Sequence, residues 1–126
     1  MATKVNNMNR KIIVFTLAFF ALSTQAKTVS DFINEHPELA KSPTIKAAIQ
    51  QGAMGNAGLD AVSNGATNET LGDVTQKLLA DNGYEYAQAG LRDLATSICD
   101  ENGLADVYGL RKKDCQIIIK IDSEIE

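Results

Sequence analysis

Residues 71–98 read LGDVTQKLLADNGYEYAQAGLRDLATSI, and this stretch decides the fold class. Each half carries apolar side chains at helical spacing: Leu71, Val74, Leu78 and Leu79 in the first, and Tyr84, Ala87, Leu91, Leu94, Ala95 and Ile98 in the second. Thr67 or Asn68 can cap the first helix, and residues 81–83, Asp-Asn-Gly, are typical of a helix end. We therefore predict two helices in an αα-hairpin whose apolar stripes face each other.

Upstream, Ser42-Pro43 has the pattern of a helix start, with serine as the cap and proline in the first turn. The chain then becomes glycine-rich over residues 52–65, GAMGNAGLDAVSNG. Each glycine inside a helix costs about 1 kcal/mol relative to alanine, so this stretch must either break the helix or allow another backbone to pack closely. We predict a break near Gly52 and a new start around residues 59–62. Phosphate-binding glycine loops follow a strand, whereas both flanks here are helical in pattern.

Two further segments complete the fold prediction. Thr28 or Ser30 can cap a short helix that is interrupted near His36-Pro37, because proline restricts the residue before it. Near the C terminus, residues 116–121 are isoleucine-rich, and their spacing fits a helix that starts near Asp114. The same run has high β propensity and could instead pair with residues 106–108 as a hairpin. The predicted fold is therefore an all-α single domain of four to five helices, with an α+β fold as the alternative.

The first 26 residues contain the three regions of a cleavable secretory signal peptide in the expected order. Residues 9–11 (Asn-Arg-Lys) contain two basic side chains, residues 12–22 are mainly apolar and uncharged, and small residues lead to Ala26. Eleven helical residues span about 16 Å, which is roughly half of the ~30 Å hydrocarbon core of a bilayer. We therefore expect cleavage after Ala26 and no stable membrane span in the mature protein.

This interpretation divides the chain into a signal peptide, residues 1–26, and one mature helical domain, residues 27–126. Met8 is an alternative start codon, because the seven residues before it add little to the signal. A short apolar run with a compact basic start favours a bacterial precursor. We therefore predict a periplasmic or secreted protein.

The mature domain is strongly acidic. The whole chain carries a formal charge of −4, and residues 27–126 carry −7, from nine basic and sixteen acidic side chains. Nucleic acids and anionic lipids are bound through clustered Lys and Arg, so this charge argues against both as partners. The one basic run, residues 111–113, is followed at once by Asp114 and is better explained as a solvated helix start.

Cys99 and Cys115 are the only cysteines. In an oxidising compartment such a pair predicts a disulfide, which would close a loop of about 17 residues and stabilise the fold by about 3 kcal/mol. A redox site would need the spacing Cys-x-x-Cys, and a zinc site would need further ligands nearby. Neither pattern is present, so the bond is predicted to be structural.

No pattern in the chain indicates catalysis or a cofactor. His36 is the only histidine and is explained as a residue at a helix end, since no nucleophile or second ligand accompanies it. Gly-x-Ser-x-Gly is absent. Residues 81–83 and 100–103 place glycine too early for a calcium loop. We therefore predict no catalytic, cofactor-binding or metal-binding residues, and a protein that is not an enzyme.

Binding is the remaining class of function, and we expect the partner to be another protein. Tyrosine is enriched at protein interfaces, which makes Tyr86 and Tyr108 candidate interface residues. Our first hypothesis is an inhibitor or immunity protein of a cell-envelope enzyme. The alternatives are a structural or accessory subunit or chaperone of an envelope assembly, and a small cell-wall hydrolase that uses carboxylates.

Overall fold

A computed structural model describes residues 27–100 and 104–125, and every regular element within them is helical. The α-helices are α1 (Val29–Asn34), α2 (Pro37–Ala40), α3 (Pro43–Ser63), α4 (Leu71–Asp93) and α5 (Lys112–Ile125). A π-helical segment, Leu94–Ile98, extends α4, and a 3-10 turn, Leu104–Tyr108, precedes α5. The all-α prediction with five helices is confirmed. The predicted signal peptide and both candidate start codons lie outside the described residues.

The first two helices begin and end where the sequence predicts. Thr28 caps α1 in a capping box with Asp31, in which each side chain accepts the backbone N–H of the other residue at 3.0 and 2.9 Å. His36 leaves helical geometry, and Pro37 opens the single turn α2. Ser42 then caps α3, since its Oγ accepts the N–H of Ile45 at 3.2 Å.

α3 is one continuous helix from Pro43 to Ser63, so the predicted break near Gly52 is wrong. The reason is the other use of glycine, which is close packing. Three alanines at four-residue intervals are fully buried where α3 packs on α4: Ala53, Ala57 and Ala61. Glycine is small enough to take part in the same close contact. This tertiary packing outweighs the low helix propensity of the glycines.

Two helical segments meet at a kink within α4, so the predicted interruption at residues 81–83 is present, as a kink and not as the turn of an αα-hairpin. The helix kinks at Asn82, whose φ and ψ are −137° and 33°, and then continues. Two residues after this kink, the N–H of Tyr84 donates to the carbonyl of Lys27 at 3.1 Å, a backbone contact from outside the helix. The residue at the N-cap position of α4 is Thr70, not the predicted Thr67 or Asn68, and its side chain makes no capping hydrogen bond. Both halves of α4 pack against α3 rather than against each other.

The C-terminal segment is the helix α5, so the hairpin alternative for residues 106–108 is wrong. Ile118 and Ile121 are buried and Ile119 is 46% exposed, which shows that one face of α5 enters the core. Cys99 and Cys115 form the predicted disulfide, with their Cα atoms 5.3 Å apart. The bond joins the end of the π-helical segment to the first turn of α5.

The main core lies at one end of the paired helices α3 and α4. Its largest buried side chains come from every α-helix: Phe32, Ile33, Leu39, Ile45, Ile49, Leu91 and Ile118. Ile49 is the last residue of α3 that belongs to this core. Beyond Ile49, small residues bring α3 into close contact with α4, and this close seam shapes the candidate site.

Candidate binding groove

The backbones of α3 and α4 touch where Gly52 meets Gly90. A Cβ atom on Gly52 would lie 3.0 Å from the Cα of Gly90, and one on Gly90 would lie 3.0 Å from the backbone nitrogen of Ala53. No side chain therefore fits between the helices at this crossing. The surface above it is left open as a groove.

One part of this groove has a volume of about 570 Å³. Gly52, Gly55 and Gly90 lie along it, with Leu59 and Tyr108 among its other lining residues. A Cβ atom on Gly55 would have no other side chain or backbone within 4 Å, so a larger residue there would extend into open space. The glycines thus allow both the close helix contact and the depth of the groove.

A second hollow of about 350 Å³ adjoins the first, and Asn56 lines both. We call the two together the seam groove. Tyr86 lies in the second hollow, where its hydroxyl donates to the Oδ2 of Asp60 at 2.8 Å. Burial, and next the hydrogen bond to Asp60, raises the pKa of Tyr86 to about 12. The phenol is therefore neutral at physiological pH. Its hydrogen bond to Asp60 holds the Tyr86 side chain against α3.

Asn56 connects the two helices at the middle of the seam groove. Its Nδ2 donates to the carbonyl of Gly52 at 2.8 Å and to the Oδ2 of Asp93 at 2.9 Å. The amide therefore holds the Asp93 carboxylate beside the groove. Because these bonds use only one oxygen of Asp93, the carboxylate can still accept hydrogen bonds from a ligand.

The charges that line the seam groove are all negative: Asp60, Glu85 and Asp93. Among the described residues, no Lys or Arg lines either hollow. Lys41, Arg111 and Lys113 instead line a separate cavity beside the start of α3. Glu38 and Asp114 line that cavity as well, so it carries both signs of charge, whereas the seam groove carries one.

The structure brings both predicted interface tyrosines to this one groove. Tyr86 lines the second hollow and Tyr108 the first, although they are far apart in sequence. Their role in an interface stays a prediction. The sequence prediction did not include three residues that supply polar side chains to the groove: Asn56, Asp60 and Asp93. The available signal was the pair of polar residues at four-residue spacing, Asn56 and Asp60, within the glycine-rich stretch.

Other parts of the described structure do not resemble a reactive site. The ring of His36 packs against Phe32, with centroids 4.9 Å apart. Within residues 27–100 and 104–125, no three His, Cys, Asp or Glu side chains are placed to hold a metal ion. None of the helices in these ranges is long and apolar enough to cross a membrane.

No protein-family model, curated protein or solved structure matches this chain. Any function must therefore be argued from the groove itself.

Proposed function

We propose that the mature domain, residues 27–126, is an exported protein that acts by binding another protein through the seam groove. An inhibitor or immunity protein of a cell-envelope enzyme is the role that this proposal favours. The acidic surface and the disulfide agree with such a role, because small exported domains often rely on a disulfide for stability.

The observation that carries the proposal is the apolar side chains left in water at the groove. Leu59 is 69% exposed and Tyr108 is 40% exposed, and both line the first hollow. Covering apolar surface stabilises a complex by about 25 cal/mol per Å², and exposed aromatic side chains beside a groove are typical anchors of protein interfaces. Val107, the residue before Tyr108 in the chain, is 78% exposed.

A pair of glycine substitutions tests the proposal. Gly55→Leu would fill the groove, and Gly72→Leu is the matched control, because neither residue has a neighbour within 4 Å of a Cβ atom. The tagged mature domain should recover a stoichiometric partner from periplasmic extract. Gly55→Leu should abolish recovery, whereas Gly72→Leu should not. Recovery of no stoichiometric partner, or equal recovery by both variants, would contradict the proposal.

Export is a separate part of the proposal and has its own test. The precursor should be cleaved after Ala26, and N-terminal sequencing of the mature protein should begin at Lys27. Sequencing of a precursor with a blocked cleavage site should begin at Met8. A precursor that begins at Met1 or Ala2 would refute the Met8 start, and an uncleaved chain would refute export by this signal.

A second candidate is an accessory subunit that associates with itself. The second half of α3 carries Met54, Leu59 and Val62, whose side chains are 51%, 69% and 57% exposed. Contiguous exposed apolar surface favours association. Light scattering over a concentration series should then show oligomers, and an invariant monomer across pH would remove this candidate.

A further inference from the structure

We infer that the partner presents a cationic amphipathic segment to the seam groove, with an apolar side chain over Gly55 and Lys or Arg side chains beside the groove's acids. This inference rests on the proposed function and specifies the chemistry of the partner.

The apolar part follows from the shape and lining of the first hollow. Gly55 contributes no side chain to its floor, while Leu59 and Tyr108 contribute exposed apolar surface to its sides. An aliphatic or aromatic side chain inserted here would contact the apolar lining residues, which also include Leu94 and Ile98. Such an anchor, rather than a wholly polar segment, matches this hollow.

The cationic part follows from three carboxylates that form no ion pair within the described residues: Asp60, Glu85 and Asp93. Asp60 and Asp93 are each oriented by one hydrogen bond, from Tyr86 and from Asn56. In each of these two carboxylates one oxygen accepts no hydrogen bond from the described residues. Charge complementarity therefore favours Lys or Arg on the partner and disfavours acidic segments.

Two other occupants fit less well. A second copy of this chain would bring the same acids together across a two-fold axis, and like charges at an interface are unfavourable. Residues 1–26 combine Lys4, Arg10 and Lys11 with an apolar run, but the predicted cleavage removes them from the mature protein. The occupant that remains is a segment of a different protein.

The test uses two synthetic peptides designed as amphipathic helices, with leucines at helical spacing. All remaining positions are lysine in one peptide and glutamate in the other. Isothermal titration with the oxidised mature domain at physiological salt should give the lysine peptide a Kd at least tenfold lower. In NMR spectra, its binding should shift amides of residues 52–59 and 90–98. Gly55→Leu should raise the Kd at least tenfold, whereas Gly72→Leu should leave it unchanged.

Charge-matched variants separate recognition at the groove from general attraction to an acidic protein. The triple variant Asp60→Asn, Glu85→Gln, Asp93→Asn removes three charges from the groove. Glu69→Gln, Asp73→Asn, Glu124→Gln removes three exposed charges elsewhere. The groove variant should raise the Kd about tenfold more than the control variant. Equal effects, or equal affinity for both peptides, would overturn the inference.

These outcomes also distinguish the inference from the proposed function. A partner that is captured through the groove, lost with Gly55→Leu and insensitive to the charge variants would leave the proposed function standing and overturn the inference. A peptide of residues 8–26 that displaces the lysine peptide at lower concentration would identify the leader as the occupant and overturn it. A dimer that Gly55→Leu dissociates would do the same in favour of a second copy.

Discussion

Asp114, at the start of α5, is a charged side chain held in a buried position, with 1% exposure. It accepts the backbone N–H of Arg111 at 2.9 Å and two guanidinium contacts at 3.2 Å. These hydrogen bonds, above all those from the Arg111 side chain, hold the pKa of Asp114 below its ordinary value despite burial. The carboxylate therefore stabilises the first turn of α5 in its charged form.

Replacing Asp114 should destabilise the domain. We expect Asp114→Ala to lower the free energy of unfolding by about 2 kcal/mol at pH 7, because it leaves the Arg111 N–H without its acceptor. Asp114→Asn should cost less, since an amide oxygen can still accept that bond. Because the folded pKa is lowered, the difference from wild type should be present above the unfolded pKa and disappear as pH falls through the folded one.

Urea denaturation at pH 7 and at decreasing pH measures these differences. Asp73→Ala is the control, since Asp73 is an exposed acid in the first turn of α4. Equal effects of Asp114→Ala and Asp73→Ala would contradict the role given to Asp114.

Tyr86 gives a second prediction at this scale, in the alkaline range. Its phenol should titrate near pH 12 in the folded protein rather than near 10. Because the folded pKa is raised, its contribution to stability should be complete below pH 10 and be lost as pH rises toward 12. Ultraviolet titration of wild type and Tyr86→Phe would assign the step. A Tyr86 transition near pH 10 would show that the bond to Asp60 and the burial are absent in solution.

At the scale of elements, the pairing of α3 with α4 depends on which glycine positions meet backbone. Gly52 and Gly90 meet at the helix crossing, whereas Gly55, one turn further along α3, has open space where a Cβ atom would be. Two glycines three positions apart therefore have opposite effects. Gly52 is needed for close packing, whereas Gly55 lowers the helix propensity of α3 and makes no packing contact that offsets this cost.

Alanine substitutions should separate these two roles. Gly52→Ala places a Cβ atom 3.0 Å from backbone that cannot rotate away, so we expect a loss of about 1–3 kcal/mol in the free energy of unfolding. Gly55→Ala should instead increase it by about 0.5–1 kcal/mol, because alanine is the better helix former. Denaturant unfolding of both variants measures this. A gain with both would mean that the glycines act through helix propensity alone, and a loss with both would mean that α3 lies differently.

At the scale of the whole molecule, the disulfide connects the two parts of the chain that close the core. Cys99 follows the helical pair α3–α4, and Cys115 belongs to α5, which contributes Ile118 and Ile121 to the core. The 3-10 turn that carries Tyr108 lies inside the loop that the bond closes. The bond therefore stabilises the domain. It also restricts the movement of the 3-10 turn at one side of the seam groove.

Removing the bond should lower stability without changing the fold class. Cys99→Ser with Cys115→Ser should reduce the free energy of unfolding by about 3 kcal/mol, which is the chain-entropy value for a loop of about 17 residues. Far-ultraviolet circular dichroism should remain helical below the transition. Thiol counting of the unfolded wild type should find two thiols only after reduction. Two thiols without reduction would show that the bond does not form.

The features that the sequence determined by itself are those with local causes. The cap at Ser42, the bend before Pro37 and the helical face of α5 follow from backbone sterics, hydrogen bonding and apolar spacing within a few residues. The disulfide followed from there being one possible pair of cysteines. The two tyrosines were recognised as candidate interface residues by type, but nothing local indicated that they share a groove.

Only the tertiary structure decided whether helices continue or end. Gly52 and residues 81–83, Asp-Asn-Gly, are both end signals by local rules, yet α3 passes through Gly52 and α4 kinks at Asn82 instead of ending. In each case a distant backbone supplies the reason: Gly90 packs on Gly52, and Lys27 accepts the N–H of Tyr84. Contacts between residues far apart in sequence outweigh a local propensity of about 1 kcal/mol, and the contact of Gly52 with Gly90 lies at the groove that Tyr86 and Tyr108 line.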